Sequence, residues 1–121
     1  MSIIIVDDNV EICTLVEEIL LSDGHKVRTC TNPMIVFEMI KQSKPKLIVT
    51  DMLMSGIDGR DIVKQLKSDQ STRTIQVLMM SAHPKSQEQS ELAGADAHIA
   101  KPFDVNEFSN LVQKMLDQHQ D

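Results

Sequence analysis

At 121 residues, with 41% hydrophobic and 25% charged side chains, the chain has the size of one domain and enough apolar material for one core. A formal net charge of -6 without a basic block argues against DNA or an anionic membrane as the main partner. Three Phe and no Tyr or Trp leave little for stacking single-stranded nucleic acid or a flat cofactor, so aliphatics and eight Met must fill the core. Cys13 and Cys30 lack metal-type spacing and read as reduced core thiols of a cytoplasmic protein. The N-terminal apolar run is too short for a signal peptide, and no run approaches membrane-spanning length.

Ile3 to Val6 is a continuous apolar run, too short for a helix, and reads as a strand buried on both faces. Asp7, Asp8 and Asn9 end it. From Val10 to Ser22, Ile12, Leu15, Val16, Ile19 and Leu20 recur at three- and four-residue spacing, which predicts an amphipathic helix stopped by Asp23-Gly24. Lys26 to Cys30 alternates like an edge strand. Asn32-Pro33 opens a second helix with Pro in its first turn, and Met34, Phe37, Met39 and Ile40 supply its buried side. Ser43 to Lys46 is a loop.

Leu47 to Thr50 is a short strand rich in β-branched side chains, and Asp51 follows at once. Ser55-Gly56-Ile57-Asp58-Gly59 is a turn signal, and Asp58 caps a third helix to about Ser68 with Ile62, Val63 and Leu66 inward. A polar loop, Asp69 to Thr74, leads to a fourth strand, Val77 to Met80, ending on Ser81-Ala82-His83. Ser86 to Ala93 predicts a poor helix, with only Leu92 and Ala93 clearly apolar and therefore weak anchoring. Gly94 ends it. Ala97 to Ala100 is a fifth strand, closed by Lys101-Pro102. Asp104 caps a last helix with Val105, Phe108, Leu111, Val112, Met115 and Leu116 on one side, and a polar tail, Asp117 to Asp121, follows. Strand and helix alternate five times, the pattern of an α/β fold with a parallel sheet covered on both faces.

In such a sheet the residues just after the strands share one rim, and ligands sit in the crevice beyond those ends. Here they are Asp7, Asp8, Asp51, Ser81 and Lys101. Singly, each has an ordinary reading: Asp-Asp-Asn as a turn and cap, Ser81 as a cap, Lys101 as a solvated charge. Together they are chemically complementary. Three crowded carboxylates cannot all stay ionised without a cation. Hard oxygen ligands suit Mg²⁺, and Lys101 adds a point charge from the other side. Ser81 can donate to a phosphoryl oxygen. Positioning, a metal and a cationic clamp are what phosphoryl transfer needs, and Asp51 is then a competent nucleophile that forms an acyl phosphate.

Asp7-Asp8, Asp51 with Gly56 and Asp58-Gly59, Ser81-Ala82, and GADAHIAKPF (Gly94 to Phe103) resemble the receiver domain of two-component response regulators, the CheY-like fold. The resemblance runs from Ile3 to about Leu116 and implies one receiver domain over residues 1–121. It implies a flavodoxin-like, doubly wound (βα)5 parallel sheet of order 2-1-3-4-5. It also implies that Asp51 accepts a phosphoryl group from a phosphohistidine on a histidine kinase or phosphotransfer protein. Mg²⁺ would be bound by Asp8, Asp51 and the Met52 carbonyl, with Asp7 acting partly through water. Ser81 would be the switch hydroxyl and Lys101 the partner of the phosphoryl group. The Lys101-Pro102 bond resembles the family's cis peptide, chemically allowed before Pro. No turnover beyond gain and loss of phosphoryl at Asp51 is implied.

Departures from the pattern have consequences. Ser55 stands where Pro is common, which makes the loop after Asp51 less rigid. His98 replaces an aromatic switch residue; either it swings as a titratable rotor or it points to solvent. Leu53 and His83 occupy the positions that tune hydrolysis of the aspartyl phosphate, and His83 either orients a water or is merely exposed. No output domain follows within the 121 residues. Met1 and the finished last helix favour a free-standing receiver over a piece of a longer protein. The expected state is a monomer or weak dimer. Output is expected through a downstream protein target docking on the fourth helix, fifth strand and fifth helix, around Lys85, Glu88 and Glu91, without direct DNA contact.

Three rivals remain. A flavodoxin-like electron carrier would need a phosphate-cradling first loop and flavin-stacking rings. An aspartate-nucleophile phosphatase would want a second Asp two residues after Asp51, where Leu53 stands. A receiver that no longer takes phosphate could serve as a docking module only.

Overall fold

The computed structural model describes residues 2–54, 56–82 and 86–118, with Ser86 described by its backbone alone. The apolar runs form a five-stranded parallel sheet from β1 (Ser2–Val6), β2 (Lys26–Cys30), β3 (Leu47–Asp51), β4 (Gln76–Ser81) and β5 (Ala97–Ala100). Its order is β2-β1-β3-β4-β5, as the resemblance implied. Five helices connect and cover the strands: α1 (Val10–Ser22), α2 (Val36–Ser43), α3 (Gly59–Ser68), α4 (Ser86–Ala93) and α5 (Val105–Gln118).

Successive strand side chains point to opposite faces, so each central strand feeds two cores. Ile3, Ile5, Leu47, Val49, Leu78 and Met80 pack with α1 and α5. Ile4, Val6, Ile48, Val77 and Met79 pack with α2 and α3. That double burial explains the unbroken apolar runs of β1 and β3. The alternating β2 lies at the sheet edge, where Lys26 and Arg28 stay exposed.

Local chemistry sets the helix starts. Asn9 accepts from the N–H groups of Glu11 and Ile12, Asp58 from that of Arg60, and Asp104 from that of Glu107. Asn9 stands three residues past β1 and Asp104 four past β5, so these connections are short.

The helical periodicity misplaces several side chains. Met34 is not on the buried side of the second helix: it is 70% exposed on a 3₁₀ turn, Pro33–Ile35, and Val36 is buried instead. A 3₁₀ turn has three residues per turn, so extending the α period backward across it puts the wrong side chain inward. Phe37 is only half-buried, while Met39 and Ile40 are buried as expected. Leu15 and Val105 are also largely exposed, and Cys13 takes the inward place on α1. Leu92 is 80% exposed and anchors nothing, so α4 is held by Ala93 and the buried Ser90. The last helix continues to Gln118, into the stretch expected as tail. Leu53–Met54 and Ile57–Asp58 form a small antiparallel pair within the loop after β3.

Both cysteines are free and buried, as expected, on opposite sides of the sheet. Burial, reinforced by the charge of Asp7, pushes the Cys13 thiol up to about 11. The native protein is therefore expected to resist alkylation at Cys13 at neutral pH, and denaturant should expose it. Since the folded thiol keeps its proton where the unfolded one has lost it, stability should fall as pH rises from 9.0 towards about 11. Phe108 is fully buried against α1 and the sheet, so Phe108→Ala should cost about 3–5 kcal/mol in a denaturant titration.

Candidate functional site

The strand order brings the acidic residues together. β1 and β3 are neighbours, with Val6 opposite Thr50, so the next residues of the two strands, Asp7 and Asp51, face each other across the rim. Asp8 joins them: one carboxylate oxygen from each of Asp7, Asp8 and Asp51 lies within 4.8 Å of the others. Their exposures differ. Asp7 is 1% exposed, Asp51 is half-buried and Asp8 is open to solvent.

Lys101 reaches this cluster from β5, two strands away from β3. Strands are about 4.8 Å apart, so the gap is roughly 10 Å and needs a long side chain. The Lys101 Nζ donates to Asp7 Oδ2 at 2.9 Å and to Asp51 Oδ1 at 3.2 Å. Its backbone N–H donates to the Ser81 carbonyl at 3.0 Å, which fixes where the side chain begins. Phe103, two residues on, stacks on the buried Phe108 with ring centroids 4.8 Å apart, holding the loop down on α5. The Lys101-Pro102 peptide is cis, as the resemblance implied.

The charges respond to this packing. Burial raises the Asp51 carboxyl above its ordinary value; Lys101 opposes this, and the charge of Asp7 adds to it. Lys101 is pulled down by burial, but pairing with Asp7 and Asp51 outweighs that and raises it. One ammonium is thus shared by two carboxylates and sits nearer Asp7. The remaining negative charge suits a divalent cation, and the donors present are hard oxygens. Asp7 is further tied by one oxygen accepting from the Asn9 N–H at 2.9 Å. The Met52 carbonyl accepts from the Gly59 N–H at 2.7 Å and retains a second lone pair.

The other expected residues divide. Ser81 ends β4, buried, one residue past Met80, which pairs with Asp51. It therefore lies on the same rim. His98 pairs with Met79 and is half-buried beside α4, so it is not simply solvent-exposed. Burial lowers its pKa, and Glu91 partly opposes this. Leu53 is exposed in the short antiparallel pair. His83, Lys85 and Ser55 lie outside the described residues.

Two residues at the site were not singled out by sequence reasoning. Gly59, read as part of a turn and of the receiver-like pattern but given no role, is a steric requirement. A Cβ there would stand 2.2 Å from the Asp51 carbonyl oxygen and 3.1 Å from Met52 Cα, both backbone atoms that cannot swing away. Gly is a poor helix former, and its presence in the first turn of α3 was the available signal. Arg60 forks onto Asp58, with Nη2 to Oδ2 at 2.6 Å, and reaches Gln89 of α4 at 3.3 Å. That link ties the start of α3 to α4, and the Arg60 hydrogen bonds lower the Asp58 carboxyl.

Residues 3–113 match the family model of the response regulator receiver domain. The chain is 34% identical to sporulation initiation phosphotransferase F of Bacillus subtilis, over 94% of this chain and 92% of that protein. It is 33% identical to the DNA-binding master transcriptional regulator RpaA of Synechocystis over 94% of this chain, but spans only 48% of that longer regulator. Among solved structures, the signal receiver domain of a histidine kinase from Syntrophus aciditrophicus superposes with a TM-score of 0.89 at 27% identity, covering 97% of this chain and 90% of that one. The chemotaxis response regulator CheY4 of Vibrio cholerae shares the fold with a TM-score of 0.86 at 21% identity, covering 94% and 97%. The chain belongs to the response regulator receiver domain family of two-component signalling. Among the described residues no helix is long and apolar enough to cross a membrane.

Gly59→Ala should lower the urea midpoint by the equivalent of about 1–3 kcal/mol, because the start of α3 must move off the β3 end.

Proposed function

We propose that Asp51 accepts a phosphoryl group from a phosphohistidine of a histidine kinase or phosphotransfer protein, and that the resulting charge change alters docking of a downstream protein. One observation carries this reading: a single ammonium, Lys101, bonded to both Asp7 and Asp51 where three carboxylates converge. The match to a relative named a phosphotransferase, spanned almost end to end, supports it.

An Asp51 carboxylate oxygen attacks phosphorus, a P–O bond forms, and the P–N bond to the donor imidazole breaks. The electron pair leaves with the imidazole nitrogen, which then takes a proton from water. Mg²⁺ held by Asp8, Asp51 and the Met52 carbonyl, with Asp7 acting partly through water, would neutralise charge on the phosphoryl oxygens. Lys101 follows the charge: it holds Asp51 in the resting site and turns to the phosphoryl oxygens once Asp51 is phosphorylated. Asp7, almost wholly buried, keeps the ammonium anchored throughout. Ser81 donates its hydroxyl to a phosphoryl oxygen, and its shift draws on the neighbouring β5 and α4. His98, half-buried there, repacks with it, and Glu88 and Glu91 lie on the exposed output side. Leu53 and His83 set how water reaches the acyl phosphate.

The chain itself performs no turnover beyond gain and loss of this group. Its buried free thiols and acidic balance favour a cytoplasmic setting with protein partners, not DNA.

Incubation with a small acyl phosphate and Mg²⁺ should give a species heavier by about 80 Da in intact mass spectra. Asp51→Asn and chelation of the metal should each abolish it. Asp8→Asn should weaken Mg²⁺ binding by about tenfold, read by amide shifts. An adduct of equal yield on Asp51→Asn would sink the assignment.

A further inference from the structure

At the opposite rim of the sheet lies a groove of about 490 Å³, between the α2–β3 connection and the turn before β4. That volume is in the range of small-molecule sites. Ile40, Pro45 and Ile75 form an apolar floor, and three ammonium-bearing side chains, Lys41, Lys44 and Lys46, line the walls. We infer that this groove binds a small molecule carrying two or more phosphoryl groups.

The charge is the first argument. The chain carries a net -6, yet no carboxylate lines this groove. Asp69, in the adjoining turn, is already engaged by the N–H and hydroxyl of Ser71 at 2.9 and 2.8 Å. The charge of Lys41 reaches Asp69, but the lysines hold no direct partner. Among the described residues none of the three makes an ion pair or donates its ammonium. Lys67, on α3, shows the contrast: its ammonium donates to the Ile75 carbonyl and to Asp96 at 2.8 and 2.9 Å.

The backbone is the second argument. Lys44 holds φ 47 and ψ 62, the left-handed conformation that glycine or asparagine ordinarily takes after a helix. A lysine stands there, and it lines the groove. Balancing the α2 dipole would explain Lys41 and Lys44, but not Lys46, which leads into β3 beyond the helix. Thr74 adds a hydroxyl that makes no hydrogen bond among the described residues, whereas Thr72 already donates to the Leu66 carbonyl at 2.7 Å.

Three point charges and one hydroxyl match the oxygens of a di- or triphosphate, and the apolar floor accepts an organic moiety. Lys46 and Asp51 bracket β3, so at about 3.3 Å per residue the two sites are roughly 16 Å apart. The inference therefore stands apart from the reading of the acidic rim.

The test is an amide NMR titration of the whole chain with tripolyphosphate, in EDTA and low salt, with citrate as a non-phosphate anion of similar charge. Saturable shifts are expected at residues 40–46 and 71–75, weakening as salt rises. Lys44→Gln combined with Lys46→Gln should weaken binding by about tenfold or more, and citrate should bind about tenfold more weakly than tripolyphosphate. No shifts, shifts centred on Asp7, Asp51 and Lys101, equal shifts with citrate, or an unchanged affinity in the double variant would each overturn the inference. Both lysines are exposed, and the wild-type titration stands without the variant.

Discussion

The ammonium of Lys101, shared between Asp7 and Asp51, is the interaction on which the rest depends. It joins the ends of β1 and β3 to the loop after β5, and so reaches across β4 and β3. A buried carboxylate such as Asp7 would be costly without a paired cation. One ammonium shared by two carboxylates leaves net negative charge between Asp7 and Asp51. The site is therefore built with negative charge to spare, which is what a metal and an incoming phosphoryl group require.

The fold supplies the geometry for this at small cost in chain length. Parallel strands send their carboxyl ends to one rim, and short capped connections leave functional residues directly after each strand. Two details refine the placement. Gly59 lets α3 close against the Asp51 and Met52 backbone, where any side chain would collide. The Phe103–Phe108 stack fixes the start of α5 and with it the loop that carries Lys101. Arg60 then couples this region to α4 through Gln89, and α4 has few buried side chains of its own. A helix held so lightly is suited to shift when the rim changes charge.

Much of this was legible in the sequence. β1 and β3 announced themselves because burial on both faces leaves no alternation, and α1, α3 and α5 because their stripes are long. The rim followed from topology: if all strands run one way, residues after them must meet. What was not legible was either a change of period or a contact through space. The 3₁₀ turn at Pro33–Ile35 shifted the phase and exchanged Met34 for Val36. In α4, one apolar residue at the wrong angle, Leu92, could not be told from an anchor. Gly59 looked like turn punctuation because its role is set by the backbone of residues 51 and 52. The sharing of Lys101 with Asp7 was likewise invisible, since spacing says which rim a residue reaches but not which oxygen it holds.

The most direct test locates the modified atom. Borohydride reduces an acyl phosphate to an alcohol, so reduction of the phosphorylated chain followed by peptide mapping reports the side chain that carried the group. The account requires homoserine at position 51 alone. Homoserine at position 7 or 8, or phosphate that resists reduction and maps to a hydroxyl or imidazole, would contradict it.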